Sequence, residues 1–168
     1  MEAQTADTIA KDLGIRLITP DRPGYGNSDT QDGFCLLDWP NAVSQLADKL
    51  QLKQFSILGF SGGGSYALVC AHELAERIKH TTIVGSPAPF ETKAMQEHVS
   101  ADFKPLYELA ASDYPVAIQQ VSQMTASLES FLDTLQATLS PPDKELFEQI
   151  PFHKQYLENL TLATSNGV

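Results

Sequence analysis

The chain has 168 residues, 42% of them hydrophobic, which suffices for one ordinary domain with a real core. Its 21 acidic side chains outweigh 11 basic ones, and a net charge of −10 argues against a nucleic-acid partner or an anionic membrane surface. The two cysteines, Cys35 and Cys70, form no C-x-x-C pair; no metal or cofactor is expected, and the expected compartment is reducing, the cytoplasm. No apolar run approaches about 18 residues, so no transmembrane helix is expected. Met1 to Thr5 lacks the basic start of a signal peptide.

In chain order, Thr5 to Leu13 reads as a helix closed by Gly14, and Ile15 to Thr19 as a strand. Pro20 to Asp29 is a rigid polar loop. Asp38 is the expected N-cap of the next helix, with Pro40 in its first turn and Val43, Leu46, Ala47 and Leu50 on one face. Phe55 to Leu58 reads as a short buried strand, Tyr66 to Leu74 as an Ala- and Leu-rich helix, and Thr81 to Val84 as a third strand. Helix and strand alternating three times implies parallel strands joined by right-handed crossovers. From Phe90 the pattern turns helical: roughly Lys93 to Ala111, Tyr114 to Ala137 and Pro141 to Ile150, with Asp113 and Ser140 as helix starts, and Phe152 to Leu162 beyond Pro151. The boundary falls near Pro87-Ala88-Pro89, dividing an α/β part (1–89) from an all-helical part (90–168).

The chemistry-bearing segment is Gly59-Phe60-Ser61-Gly62-Gly63, of the form G-x-S-x-G, set between an apolar strand and an apolar helix. That context fits a sharp turn with a serine at its apex, where glycines at 59 and 63 remove side chains that would clash. The start of the helix aims free N–H groups and a positive dipole end at the same spot. Two other patterns compete. Gly62 to Ala67 satisfies G-x-G-x-x-A, a dinucleotide signature, but no acid closes the following strand before Glu91. A glycine turn with a purely structural role is the third alternative. No Gly-Lys-Ser/Thr follows, which excludes a P-loop.

Three segments together resemble the α/β-hydrolase family: Asp21-Arg22-Pro23-Gly24-Tyr25-Gly26-Asn27-Ser28, the Gly59 to Gly63 turn, and Val84-Gly85-Ser86-Pro87-Ala88-Pro89. The resemblance is strong over about residues 5 to 90. It implies a partial α/β-hydrolase fold, with three parallel strands and flanking helices followed by an all-helical cap over 90–168. It implies a serine hydrolase cleaving a small ester, amide or similar acyl substrate through an acyl-enzyme on Ser61, with Gly62 as an oxyanion donor. Phe60, Ser86, Asp21 and Arg22 are the candidate pocket residues, Asp21 more as a loop-capping carboxylate than as an acid.

The sequence departs from that family in two respects: no segment resembles the family's strand between the first two seen here, whose loop supplies the second oxyanion N–H, and none after Phe90 resembles the strand ends that carry the acid and the histidine. His72 lies roughly 16 Å along the helix from Ser61 at 1.5 Å per residue. His80 precedes the third strand, His98 and His153 fall in the helical part, and the pair Asp143 and His153 follows no strand. The chain is therefore expected to be the middle of a longer hydrolase, cut at both ends. The alternative function is a catalytically incomplete binding module. The resemblance implies that the first two strands are not neighbours but flank a further strand; that empty slot would leave unpaired edges, so marginal stability or self-association is expected.

Overall fold

The computed structural model describes residues 2–101 and 103–149, together with Glu158 and Thr161. Two compact units divide the chain, one formed by Asp32–Ser112 and the other by the described residues of Met1–Gln31 and Asp113–Val168.

The unit Asp32–Ser112 contains the sheet. Here α2 (Trp39–Lys49), β1 (Phe55–Phe60), α3 (Gly63–Glu73) and β2 (Ile78–Val84) follow one another, then α4 (Lys93–His98) and α5 (Lys104–Ser112). Strands β1 and β2 pair in parallel, with Gly59 opposite Ile83 and Phe60 opposite Val84. Parallel pairing needs a crossover, and α3 supplies it. Small residues let α3 lie close: Ala67 and Cys70 are buried on it, Ala47 and Pro40 on α2, and Gly59 on β1. Trp39 closes the helix pair, edge-on to Tyr66 at 6.0 Å and to Phe34 at 6.5 Å between ring centroids. Within the unit no element packs on the second sheet face, where Leu58, Phe60 and Val84 remain exposed.

Arg77, just before β2, ties the opposite end of the sheet. Its guanidinium donates to the Leu52 carbonyl at 2.6 Å and to Ser44 Oγ at 3.0 Å, and it pairs with Asp48 at 2.9 Å. One side chain thereby fixes the C-terminal half of α2, the lead into β1 and the start of β2.

In the second unit, α1 (Glu2–Asp12) ends at Gly14, whose φ of +65° places it in the left-handed region. The Gly14 N–H bonds to the Lys11 carbonyl and the Ile15 N–H to the Ala10 carbonyl, a Schellman closure. The same unit holds α6 (Tyr114–Met124), α7 (Leu128–Thr138) and α8 (Pro141–Gln149), with Ala117 and Leu132 buried. Asp113 caps α6 by accepting the Val116 N–H at 3.2 Å.

The expectation of three parallel strands is overturned: among the described residues the sheet has two strands, β1 and β2. Residues 15–19 run without a ladder. The Ile15 N–H is used in closing α1, and Ile15, Leu17 and Ile18 are all exposed. Apolar and β-branched residues fit a pleated, half-buried surface, but they make a strand only where a neighbour offers one. His80 lies inside β2 rather than before it. Asp38 holds the expected N-cap position of α2, but its carboxylate makes no bond to that helix; it also ends a short 3-10 turn (Leu36–Asp38), where it accepts the Cys35 N–H at 2.8 Å. This bond holds the Asp38 carboxyl below its usual range.

The long helical segments also divide. Lys93 to Ala111 splits at Val99, whose ψ of 138° is extended, and Tyr114 to Ala137 splits where Ser127 turns its side chain onto the Ser130 N–H at 3.3 Å. Ser and Thr break helices in this way by offering the backbone a local partner. The segment Phe152 to Leu162 lies, apart from Glu158 and Thr161, outside the described residues.

Arg77→Ala should lower stability by roughly 2 kcal/mol, because it strips charge-assisted bonds from a side chain only 21% exposed. Asp48→Asn should cost less than about 1 kcal/mol, since that carboxylate is 68% exposed. Urea unfolding of the two variants checks the order.

Cys70 is fully buried, and burial pushes its thiol from the ordinary 9.0 up to about 11. Between those values the unfolded chain loses the proton first, so the Cys70 contribution to stability is intact below pH 9 and is lost as pH rises toward 11. The slope from this group is at most about 1.4 kcal/mol per pH unit. Cys70→Ala should flatten that part of the stability profile relative to wild type. A thiol reagent should modify exposed Cys35 in the native protein and reach Cys70 only on unfolding.

Candidate active site at the end of the first strand

β1 ends at Phe60 and α3 begins at Gly63, so Ser61 and Gly62 alone carry the reversal. Ser61 takes a φ of +50°, left-handed for a residue with a Cβ. That conformation costs an L-residue about 1–2 kcal/mol and persists only when its surroundings over-determine it. Three hydrogen bonds do so. The Ser61 N–H donates to the Val84 carbonyl at 2.9 Å, extending the ladder past the strand. The Ser61 carbonyl accepts the Gly64 N–H at 3.1 Å and the Ser86 hydroxyl at 2.6 Å. Ser61 itself is exposed, and among the described residues its hydroxyl makes no hydrogen bond.

Glycine is required at two positions around this turn. A Cβ on Gly59 would come within 2.7 Å of the Gly63 carbonyl oxygen and 2.8 Å of the Ala67 Cβ. A Cβ on Gly64 would land on the Ser86 side chain and lie 2.9 Å from Ile83 Cγ2. At Gly62 and Gly63 a Cβ would meet nothing within 4 Å. The second close approach thus falls on Gly64, one residue beyond the Gly63 that the five-residue pattern picks out. Nothing in that pattern signals Gly64, because its neighbour arrives from the far end of β2. The run of three glycines was the available hint.

Gly62 stands at the N-cap of α3 without a side-chain cap. The first N–H groups of a helix lack intrahelical partners, and the dipole there favours negative charge. The turn therefore presents an exposed hydroxyl next to backbone donors suited to an anion. Phe60 sits at the end of β1, exposed on the face that no element of this unit covers.

A cavity of about 450 Å³ lies in the same unit between the segment after β2 and helices α4 and α5. Ala88, Met95, His98, Val99, Phe103 and Tyr107 line it. Phe90 stacks on Tyr107 at 5.2 Å beside it.

Asp21 and Arg22 belong to the other unit, in a loop closed on itself. The Asp21 carbonyl accepts the Ser28 hydroxyl at 2.9 Å, and its carboxylate lies where a Cβ on Gly26 would come within 2.5 Å. The Arg22 guanidinium rests 4.6 Å from the Tyr25 ring centroid. The other titratable candidates are dispersed. His72 is exposed near the end of α3, 3.8 Å from Glu73, while His80 lies in mid-strand and His98 in the last turn of α4. Asp143 is engaged by the Ser140 hydroxyl at 2.5 Å, and His153 lies outside the described residues. Among the described residues no histidine or carboxylate is hydrogen-bonded to Ser61, and no cluster of metal-ligating side chains forms. No described helix is long and apolar enough to cross a membrane.

Comparison with known proteins places this geometry in context. Residues 2–167 match the α/β hydrolase fold family. The chain is 31% identical over 76 residues to an uncharacterised hydrolase of Bacillus subtilis, covering 45% of this chain and 27% of that protein. It is 36% identical over 105 residues to a serine hydrolase-like protein of Dictyostelium discoideum, covering 56% of this chain and 29% of that one. The chain thus spans less than a third of the length of these curated relatives. With the family match running almost end to end and an exposed serine on a strained strand-to-helix turn, the chain belongs to the α/β hydrolase fold family.

Proposed function

We propose that this chain carries the nucleophile half of a hydrolase site and by itself acts as a binding module for a small acyl substrate rather than as a complete enzyme. Ser61 is the nucleophile of a family elbow, Gly62 donates one N–H to the oxyanion, and residues from 90 onward form the cap. The observation that carries this assignment is the exposed Ser61 hydroxyl on a turn with φ +50° and no base hydrogen-bonded to it among the described residues. The cavity lined by Met95, Val99, Phe103 and Tyr107 favours an apolar acyl or alcohol group on the ligand.

In the complete reaction the serine oxygen attacks the carbonyl carbon, a histidine takes its proton and an acid orients that histidine. Removal of one such member can cost on the order of a millionfold in kcat. Full serine hydrolysis through an acyl-enzyme is the second reading. The strained turn favours it, and it requires the acid and histidine to be supplied to the same site.

A fluorophosphonate probe tests the nucleophile directly. The phosphorus–oxygen bond forms at Ser61, fluoride leaves and the hydroxyl proton passes to solvent. With no base engaged, slow labelling at Ser61 that needs excess probe and that Ser61→Ala abolishes is expected, alongside p-nitrophenyl ester turnover close to the background rate. Labelling elsewhere in the chain, or none at Ser61 even under prolonged excess of probe, refutes the assignment; fast stoichiometric labelling with rapid turnover, both lost in Ser61→Ala, establishes the second reading instead.

The two-stranded sheet leaves an outer edge on each strand within its unit, which supports self-association through backbone pairing. Sedimentation velocity should show a concentration-dependent dimer or larger species. A monomer at every concentration with a sharp, high-temperature melt contradicts it.

A further inference from the structure

We infer that Ser86 is a positioning residue whose hydroxyl locks the Ser61–Gly62 peptide plane and so keeps the Gly62 N–H aimed at the developing oxyanion. This rests on the assignment of Ser61 and Gly62 proposed above. In a trans peptide the C=O and the following N–H point in opposite directions, so fixing one fixes the other. The Ser61 carbonyl and the Gly62 N–H belong to one such plane. The carbonyl receives the Ser86 hydroxyl at 2.6 Å and the Gly64 N–H at 3.1 Å, which occupies both of its lone pairs. The N–H is thereby turned to the other side.

The lock answers a specific weakness. Gly62 has no Cβ, and its surroundings would not resist one, so a peptide flip between Ser61 and Gly62 meets little steric penalty. A flip would put a carbonyl oxygen where the donor should be and repel the oxyanion. The Gly64 N–H alone holds the carbonyl from within the turn that flips. Ser86 holds it from outside, on the segment after β2.

Two glycines bring Ser86 there. Gly85, at φ +58°, bends the chain as it leaves β2. Gly64 leaves the space that the Ser86 side chain fills, and a Cβ at 64 would collide with it. Two residues from two segments thus converge on one carbonyl. Since the Val84 carbonyl also holds the Ser61 N–H at 2.9 Å, the end of β2 grips both backbone groups of the serine.

The test measures fluorophosphonate labelling of Ser61 by intact mass, with inactivation rate constant and probe affinity separated, in the full chain. Ser86→Ala should lower the rate constant about tenfold to a hundredfold with probe affinity little changed, somewhat less than outright loss of an oxyanion donor. Ser86→Cys, which keeps the bulk but offers only a weak donor, should be slow as well. Ser86→Thr, which restores a hydroxyl, should return within about threefold of wild type. Gly64→Ala, which evicts the hydroxyl without altering Ser86, should be slow too. In amide spectra the Gly62 resonance should shift in Ser86→Ala and return in Ser86→Thr.

Wild-type rates in Ser86→Ala and Ser86→Cys overturn the positioning role while leaving Ser61 as the nucleophile. Equal slowing in Ser86→Thr and Ser86→Ala also overturns it, since the hydroxyl is then irrelevant. Wild-type protein that never labels at Ser61 removes the nucleophile assignment and this inference together.

Discussion

The grip of the second strand on Ser61 is the constraint on which the site depends. Left-handed backbone at a serine costs about 1–2 kcal/mol, whereas each ordinary hydrogen bond returns about 0.5–1.5 kcal/mol net. Three bonds converge on the backbone of Ser61, two of them from Val84 and Ser86. Their sum exceeds the strain, so the turn is held without help from the serine side chain. The hydroxyl is left exposed with no hydrogen bond among the described residues, which the proposed nucleophile role requires.

The two ends of the sheet are secured by different means. At the N-terminal end a charged side chain, Arg77, collects a carbonyl, a hydroxyl and a carboxylate from α2 and the lead into β1. A long side chain can fill that end because nothing else has to fit there. At the C-terminal end the fasteners are backbone groups, a short hydroxyl and the bare faces of Gly59 and Gly64. Crevices outside the carboxyl ends of parallel strands are where ligands bind in open α/β sheets. Fastening with small groups keeps that end open, and replacing Ser86 by a long polar side chain would close it even if the hydrogen bond survived.

What was readable in the sequence was what depends on neighbours along the chain. Phe55 to Leu58 as strand, the helix after Gly63, the cap at Gly14 and the burial of Cys70 each follow from a few adjacent residues. Ile15 to Thr19 has the composition of a strand yet carries no ladder, because pairing is a property of two segments and composition describes one. Gly63 and Gly64 are indistinguishable as letters; Ile83 and Ser86, some twenty residues on, decide which of them must lack a side chain. The break at Ser127 was hidden because serine and threonine choose between helix and cap by local competition rather than by period. Ser86 was expected to line the pocket; its bond to the Ser61 carbonyl was not legible, because the two residues lie 25 apart.

The locality of the turn also bears on how such a site is assembled. Strand, turn, helix and next strand occupy residues 55–84 in one unbroken run, and Ser86 lies two residues further. Everything that holds Ser61 in place lies within that span. A general base is different in kind: it must come from another part of the chain, and its hydrogen bond to the serine forms only after long-range packing. The serine turn can therefore stand complete in a stretch of about thirty residues where no base is engaged, since none of its three bonds to the Ser61 backbone involves the Ser61 hydroxyl. It follows that a well-formed turn is evidence about the serine alone. Chemical competence is a separate property, determined by whatever reaches the exposed oxygen.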